Sequence, residues 1–157
     1  HSFPTRRSSD LVLTLFKNCL WFVVLFALSA FCSASETAIT TTGRSRLMLL
    51  QEKRPFLRPL FQWLIDDVQE ALTVCLVANN VVNIAASTLA ASLALQIFGE
   101  RALVYVVPIM TVLVVIFGEI LPKSAAMVNA DGVLVLVTPV LRLLAFLIAP
   151  FVWLMKR

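Results

Sequence analysis

The residues best suited to chemistry are a carboxylate and a proline near the end of a long apolar stretch, in the run Val-Ile-Phe-Gly-Glu-Ile-Leu-Pro-Lys at 115–123. A charged side chain inside a membrane-spanning helix costs about 2.5–3.5 kcal/mol on insertion scales, so Glu119 is expected to have a function and a partner. Pro122 has no N–H, so the carbonyl of Gly118 loses its helical donor. A free carbonyl beside a carboxylate suits a hard cation such as Mg²⁺ or Na⁺. The alternative is a proline-kinked helix end at which Lys123 neutralises Glu119.

The composition is typical of a membrane protein and not of a soluble domain. Hydrophobic residues make up 60% of the 157 residues, charged residues make up 14%, and the mean hydropathy is +0.92. Apolar runs of about twenty residues recur, which is the length that a helix needs to cross a bilayer. The net charge of +4 comes from basic residues that cluster beside these runs. This is the positive-inside distribution, so the charge does not indicate nucleic-acid binding.

The available side chains exclude several kinds of site. The only histidine in the sequence is His1, and the three cysteines lie in apolar runs without metal-ligand spacing. A histidine-based metal or catalytic site is therefore excluded, and the cysteines are expected to be free thiols. The sequence has no Ser/His, paired-Asp or His-Glu-x-x-His arrangement, so we do not expect an enzyme.

Three apolar stretches are predicted to be transmembrane helices, at about residues 11–31, 71–98 and 102–128. The first stretch continues into the polar run Cys-Ser-Ala-Ser-Glu-Thr-Ala at residues 32–38. The second is rich in alanine and serine, which let helix backbones approach closely in lipid, so we expect it to be central in the bundle and to take part in a dimer. The polar connection between the first two has amphipathic character, so part of it is predicted to lie along the membrane surface.

The last apolar stretch, residues 133–155, is long enough for a fourth span, but the charge distribution argues against one. Five Lys and Arg residues lie at 44–58 and only one lies at 99–101. This places residues 44–58 in the cytoplasm and the N terminus outside. A fourth span would put the basic residues 156–157 outside and Arg142 near the centre of the span. We therefore predict a juxtamembrane helix or helix pair on the cytoplasmic surface, with a cytoplasmic C terminus.

The first ten residues differ from the rest of the chain. Residues 1–10 are polar and resemble a translated sequencing adapter, and an apolar run follows them abruptly. We expect them to be a non-native leader. Residues 11–157 are expected to form a single transmembrane domain.

Three groups of polar residues interrupt the predicted helices, each on one helical face. They are Ser33, Glu36 and Thr37 on the first helix, Asn79, Asn83 and Ser87 on the second, and Glu119 on the third. With a rise of ~1.5 Å per residue and a core of ~30 Å, Ser33 and Glu119 both lie ~24 Å below the outer face. On the same rise, Asn79 and Asn83 lie ~10 Å and ~16 Å above the inner face. A shared depth favours one site over scattered interhelical hydrogen bonds, the alternative explanation for buried Asn and Ser.

The donors expected at this depth are hydroxyls, amide carbonyls, one backbone carbonyl and one carboxylate. Such hard oxygen donors favour Mg²⁺, Ca²⁺ or Na⁺ over Zn²⁺ or Cu²⁺. Mg²⁺ loses its water reluctantly, so a cage made only of protein atoms would be unusual for it. A transporter of Mg²⁺ must nevertheless remove at least part of that water.

Three motifs together resemble the transmembrane domain of the CorC/cyclin M (CNNM) family of magnesium transporters. They are the run at 32–38, Asn-Asn-Val-Val-Asn-Ile at 79–84 and Phe-Gly-Glu-Ile-Leu-Pro-Lys at 117–123. The resemblance covers the chain from about Leu15 to Arg157. It implies an all-α protein of the inner cell membrane with three transmembrane helices, amphipathic juxtamembrane helices and a homodimer in the bilayer. It also implies Mg²⁺ efflux, coupled to Na⁺ entry, from a cytoplasm-facing intramembrane site.

The resemblance also assigns roles to individual residues. By position, the ion-binding residues are Ser33, Asn79 or Asn83, Gly118 through its carbonyl, and Glu119. Glu36 occupies a motif position that need not touch the ion, and the alternative for it is a helix-end carboxylate paired with Arg44 or Lys123. Family members usually continue into a CBS module that senses adenine nucleotide, so ATP is expected to bind only there. The alternative function is a membrane anchor and dimerisation module for a cytosolic regulatory domain, without transport of its own.

Overall fold

The computed structural model describes residues 5–155, and every element of regular structure within that range is helical. In chain order the α-helices are α1 (Thr5–Thr41), α2 (Arg44–Lys53), α3 (Arg58–Asp66), α4 (Val68–Phe98), α5 (Leu103–Leu113), α6 (Leu121–Val128) and α7 (Ala130–Met155). Short 3-10 helices cover Pro55–Leu57 and Glu100–Ala102, and a π-helix covers Val114–Ile120. The prediction of an all-α protein is confirmed. Residues 1–4 of the predicted leader, and the basic pair 156–157, lie outside the described residues.

Four helical stretches within residues 5–155 are long and apolar enough to cross a membrane. They are Asp10–Thr41, Val68–Phe98, Leu103–Val128 and Ala130–Pro150. The first three contain or match the predicted spans, and the fourth is the stretch predicted to be juxtamembrane. Length and composition also allow the fourth helix to span, so the count of three spans stays a prediction.

α1 continues through the polar run at residues 32–38, where two of the three hydroxyl side chains bond to carbonyl groups of the same helix. Ser35 Oγ donates to the Phe31 carbonyl at 2.7 Å, and Thr37 Oγ1 donates to the Ser33 carbonyl at 3.2 Å. A hydroxyl that bonds to the carbonyl four residues back needs no partner on another helix. The helix can therefore carry a polar face into an apolar bundle without ending.

α4 packs against α1, α3, α5 and α7. The buried residues on α4 are mostly small and recur at helical spacing: Ala71, Val74, Cys75, Ala78, Val82, Ala86, Ala90 and Ala94. Their small size allows close packing against helices of the same chain, above all α1. Dimer formation stays a prediction.

The stretch predicted as a juxtamembrane helix or helix pair is one continuous helix, α7, with Pro139 and Pro150 inside it. Its buried residues recur at helical spacing on one face: Leu134, Val137, Thr138, Leu141 and Ala145. Large apolar side chains elsewhere on the helix are exposed, among them Leu143 and Phe146. α7 therefore packs one face against the bundle and presents apolar side chains outward.

The buried core that α7 joins lies at one end of the bundle. The parts of α1 and α4 that belong to it are those next to the polar connection, such as Ala38 and residues 71–75. Arg142 of α7 lies over the indole ring of Trp63 in α3, with its guanidinium carbon 4.8 Å from the ring centroid. This cation–π contact joins α7 to α3. The buried contacts of α7 thus lie beside the connection between α1 and α4. This connection carries five Lys and Arg residues at 44–58 and is called the basic connection below.

The turns before α5 and α7 show how the helices are separated. Gly99 ends α4 with a φ of +78°, in the left-handed region that glycine adopts without strain. Asn129 directly precedes α7, and Asp131 and Gly132 lie in the first turn of that helix. The Asn129 side-chain oxygen accepts a hydrogen bond from the Gly132 N–H at 3.3 Å. Such a cap starts the helix directly after Asn129.

Replacing Leu141 by alanine tests the packing of α7. Leu141 is 0% exposed and Leu143, two residues later on the same helix, is 61% exposed. Leu141→Ala should lower the free energy of unfolding by about 2–5 kcal/mol because it leaves a cavity. Leu143→Ala is the matched control and should cost much less. Thermal unfolding in detergent measures both, and equal losses for the two variants would contradict this packing.

Candidate cation site

The segment around the predicted carboxylate is π-helical over Val114–Ile120. At its end the N–H of Leu121 donates to the carbonyl of Ile116, five residues back. Pro122 comes next and has no N–H, so no α-helical hydrogen bond can reach the carbonyl of Gly118. π-helical turns within a longer helix frequently occur at functional sites.

The three helices that carry polar groups meet at Glu119. Ser33 Oγ of α1 donates to the backbone carbonyl of Glu119 at 3.3 Å. Asn83 Nδ2 of α4 donates to the Glu119 carboxylate oxygen Oε1 at 3.3 Å. The structure therefore brings together residues whose common depth was inferred from counting along separate helices. Ser33 is fully buried, whereas Asn83 and Glu119 keep partial exposure.

Ser29 is the residue at this site that sequence reasoning missed. Its Oγ lies 2.6 Å from Asn83 Oδ1 and 3.1 Å from Asn79 Oδ1, and the residue is 1% exposed. Ser29 precedes Ser33 by four residues and thus shares its helical face. That spacing was the signal available in the sequence. The hydroxyl joins α1 to both asparagines of α4.

The hydrogen bonds at the site leave an excess of acceptors. Ser29 has a single hydroxyl proton, which can donate to Asn79 or to Asn83 but not to both at once. Asn83 accepts from Ser29 through its oxygen and donates to Glu119 through its nitrogen, so both ends of its amide are engaged. The amide oxygens of Asn79 and Asn83 thus share one proton at Ser29. A bound cation would satisfy such a pair of oxygens.

Gly118 allows α1 to approach the π-helical segment closely. Gly118 is buried, and a Cβ atom there would lie 3.4 Å from Ser29 Oγ, 3.7 Å from Val114 Cγ1 and 3.9 Å from the Phe26 ring. Those distances are ordinary contacts for one methyl group and leave no room for a larger side chain. A small residue at this position therefore leaves room for the Ser29 hydroxyl next to the segment that carries Glu119. The Gly118 carbonyl as an ion ligand stays a prediction.

The other polar residues of the three groups lie away from this meeting point. Thr37 bonds within its own helix, and Ser87 is exposed on α4. Glu36 pairs with Lys123, with Oε2 and Nζ 3.6 Å apart, so of its two suggested partners the structure shows Lys123. The Glu119 carboxylate accepts a hydrogen bond from Asn83, whereas Lys123 pairs with Glu36. This differs from the alternative in which Lys123 neutralises Glu119 at a helix end.

The site offers one negative charge and several neutral oxygen donors. Within the described residues, no group of three or more His, Cys, Asp or Glu side chains is placed to hold a metal ion. Charge at this position therefore comes from Glu119, supported by hydroxyl and amide groups of Ser29, Ser33, Asn79 and Asn83. Such a set would hold a hard cation with part of its hydration shell retained.

Sequence comparison places these features in a known family. The sequence model of the cyclin M transmembrane N-terminal domain matches residues 20–157. A chloroplastic DUF21 domain-containing protein of Arabidopsis thaliana is 39% identical over 127 residues, which is 81% of this chain. A UPF0053 protein of Haemophilus influenzae is 29% identical over 134 residues, or 85% of the chain. The UPF0053 inner membrane protein YfjD of Escherichia coli is 29% identical over 129 residues, or 82% of the chain.

The chain spans only part of the length of these relatives. The matched region is 19% of the Arabidopsis protein, 32% of the Haemophilus protein and 30% of YfjD. The relatives therefore contain long further segments to which this chain gives no match.

Replacing Ser29 by alanine tests the hydrogen bonds at the centre of the site. Ser29→Ala should lower the free energy of unfolding by about 0.6–2 kcal/mol, the range for interhelical hydrogen bonds in membranes. Ser35→Ala is the matched control, because Ser35 is also a buried serine of α1 but donates only to Phe31 of its own helix. Unfolding in detergent compares the two. A loss in Ser35→Ala as large as in Ser29→Ala would show that Ser29 does not join the helices.

Proposed function

The chain belongs to the cyclin M transmembrane N-terminal domain family, and from this premise we propose that it is the membrane domain of a Mg²⁺ transporter. It binds the ion at Glu119, in an intramembrane site that opens toward the cytoplasm, and takes part in Mg²⁺ efflux coupled to Na⁺ entry. The observation that carries the proposal is the meeting of polar groups from three helices at Glu119, where Asn83 donates to the carboxylate and Ser33 donates to the backbone carbonyl.

The ligand chemistry supports a hard cation as cargo. Proposed ligands are Glu119, Ser33, the Gly118 carbonyl and Asn79 or Asn83. Asn79 is the freer of the two amides, because Asn83 already bonds to Ser29 and Glu119 while the Asn79 oxygen shares the Ser29 proton. Mg²⁺ prefers such oxygens at ~2.0–2.1 Å in octahedral geometry and keeps some of its water. The free carbonyl and the hydroxyls would replace part of that water during transport.

The single carboxylate gives a simple basis for coupling to Na⁺. Na⁺ and Mg²⁺ both suit hard oxygen ligands, and one carboxylate cannot bind both ions closely without strong repulsion between them. Occupancy by one ion would therefore exclude the other. Exchange at one site requires no second carboxylate within the membrane.

The position of α7 supports the proposed membrane arrangement of three spanning helices and a cytoplasmic juxtamembrane helix. The buried face of α7 packs beside the basic connection, and Arg142 stacks on Trp63 there. A basic side chain beside an indole ring is typical of the membrane interface. The basic connection lies in the cytoplasm by the positive-inside rule. This orientation puts the C terminus in the cytoplasm.

The alternative function is a membrane anchor and dimerisation module. In that function the same serines and asparagines would serve as interhelical hydrogen bonds. The two functions differ in whether the native state binds Mg²⁺, because an anchor has no reason to do so.

A Mg²⁺ titration separates these functions. A ligand that binds only the native state stabilises it by about 2.7 kcal/mol at one hundred times its Kd, so the Tm of the parent protein should rise with Mg²⁺ concentration. Glu119→Gln keeps the shape and an acceptor for Asn83 but removes the charge, and should abolish the rise. Glu100→Gln is the control, because Glu100 lies in the turn after α4, at the opposite end of that helix from the basic connection.

The titration is followed by thermal unfolding in detergent at constant ionic strength. If neither the parent nor Glu100→Gln responds at millimolar Mg²⁺, the transporter function loses its site and the anchor function remains. If Glu119→Gln responds like the parent, the ion binds elsewhere.

A further inference from the structure

A second polar contact joins the same two parts of the chain next to the candidate site. Ser33 of α1 contacts Glu119, and Glu36, one turn further along α1, pairs with Lys123 at 3.6 Å. Lys123 lies four residues after Glu119. The Ser33–Glu119 and Glu36–Lys123 contacts are therefore consecutive steps of one interface. The second lies on the side toward the end of α1, where the basic connection begins.

Lys123 has two carboxylates within the reach of its side chain. Glu119 lies in the π-helical segment and Lys123 follows it by four residues in α6, so the two lie about one turn apart on the same span, and the lysine stem is long and flexible. The Glu36–Lys123 pair is not locked by burial, because its side chains are 35% and 37% exposed. Rotation of Lys123 alone would therefore move its ammonium from Glu36 toward Glu119.

An ammonium beside Glu119 and a metal ion at Glu119 exclude each other, because both are cations that compete for one carboxylate. We propose that Lys123 is a tethered competitor for the cation site and that Glu36 holds it away from Glu119. The pair thereby sets the affinity of the site for the transported ion. The inference rests on the proposed function, since it concerns the ion that Glu119 binds.

The proposal predicts opposite effects of removing the two charges. Lys123→Gln removes the competitor and should tighten Mg²⁺ binding about two- to fivefold, the size expected for one charge acting in a partly exposed environment. Glu36→Gln releases Lys123 toward Glu119 and should weaken binding by a similar factor. The double variant should bind like Lys123→Gln, because Glu36 acts only through the lysine.

Two other roles of Glu36 give different results. If the pair only fastened α1 to α6, both single variants would lose stability and neither would bind Mg²⁺ more tightly. If Glu36 were itself a ligand, Glu36→Gln would weaken binding equally in the Lys123→Gln background. Two results thus separate the three roles. The first is whether Lys123→Gln binds Mg²⁺ more tightly, and the second is whether the effect of Glu36→Gln disappears in the Lys123→Gln background.

The experiment is calorimetric titration of the full chain in detergent with Mg²⁺, for the parent, both single variants, the double variant and Lys123→Arg. Lys123→Arg keeps the charge, so its affinity for Mg²⁺ should stay close to that of the parent. The comparison of Lys123→Arg with Lys123→Gln tests the inference even if Glu36→Gln fails to fold. Tighter binding in Lys123→Gln, absent from Lys123→Arg, is the expected result. Unchanged or weaker binding in Lys123→Gln, with a parent that binds Mg²⁺, overturns the inference alone. A parent that does not bind Mg²⁺ overturns the proposed function as well.

Discussion

A carboxylate within an apolar membrane helix has to be compensated by neighbouring groups, and the arrangement of this bundle depends on how Glu119 is compensated. Asn83 donates to the carboxylate, and Ser29 fixes Asn83 from the other side. These contacts require α1, α4 and the π-helical segment to approach closely. Small residues along α4 and the glycine at position 118 permit that approach. Packing and polar contacts therefore specify the same helix arrangement.

The same contacts explain how an apolar bundle could present a cation site. The hydrogen bonds fix the orientation of the oxygens but do not use all of their acceptor capacity, so the groups are organised before an ion arrives. Preorganised oxygens lower the ordering cost of binding. The neighbouring Glu36–Lys123 pair adds one charge of each sign along the same interface between α1 and the third span. In our proposal, moving the Lys123 side chain adjusts the affinity of the site without repacking a helix.

The sequence predicted the helices well, because the length of an apolar stretch and the helical rise are properties of each helix by itself. It therefore indicated that Ser33 and Glu119 could meet. It did not reveal Ser29, whose importance comes from two asparagines on another helix. The π-helical turn and the choice of Lys123 as partner of Glu36 were likewise undetermined, because both depend on how α1 packs against the third span. The features that could not be predicted from the sequence are therefore the contacts between helices.

The central claim is that one Mg²⁺ binds among oxygens from three helices at Glu119. The most direct measurement is an experimental density map of the protein with Mg²⁺ compared with a map after chelation. A difference peak ~2.0–2.1 Å from a Glu119 carboxylate oxygen, with octahedral neighbours from α1 and α4, is the predicted result. A peak only at surface carboxylates such as Asp66 and Asp67, with none at Glu119 under saturating Mg²⁺, would contradict the claim.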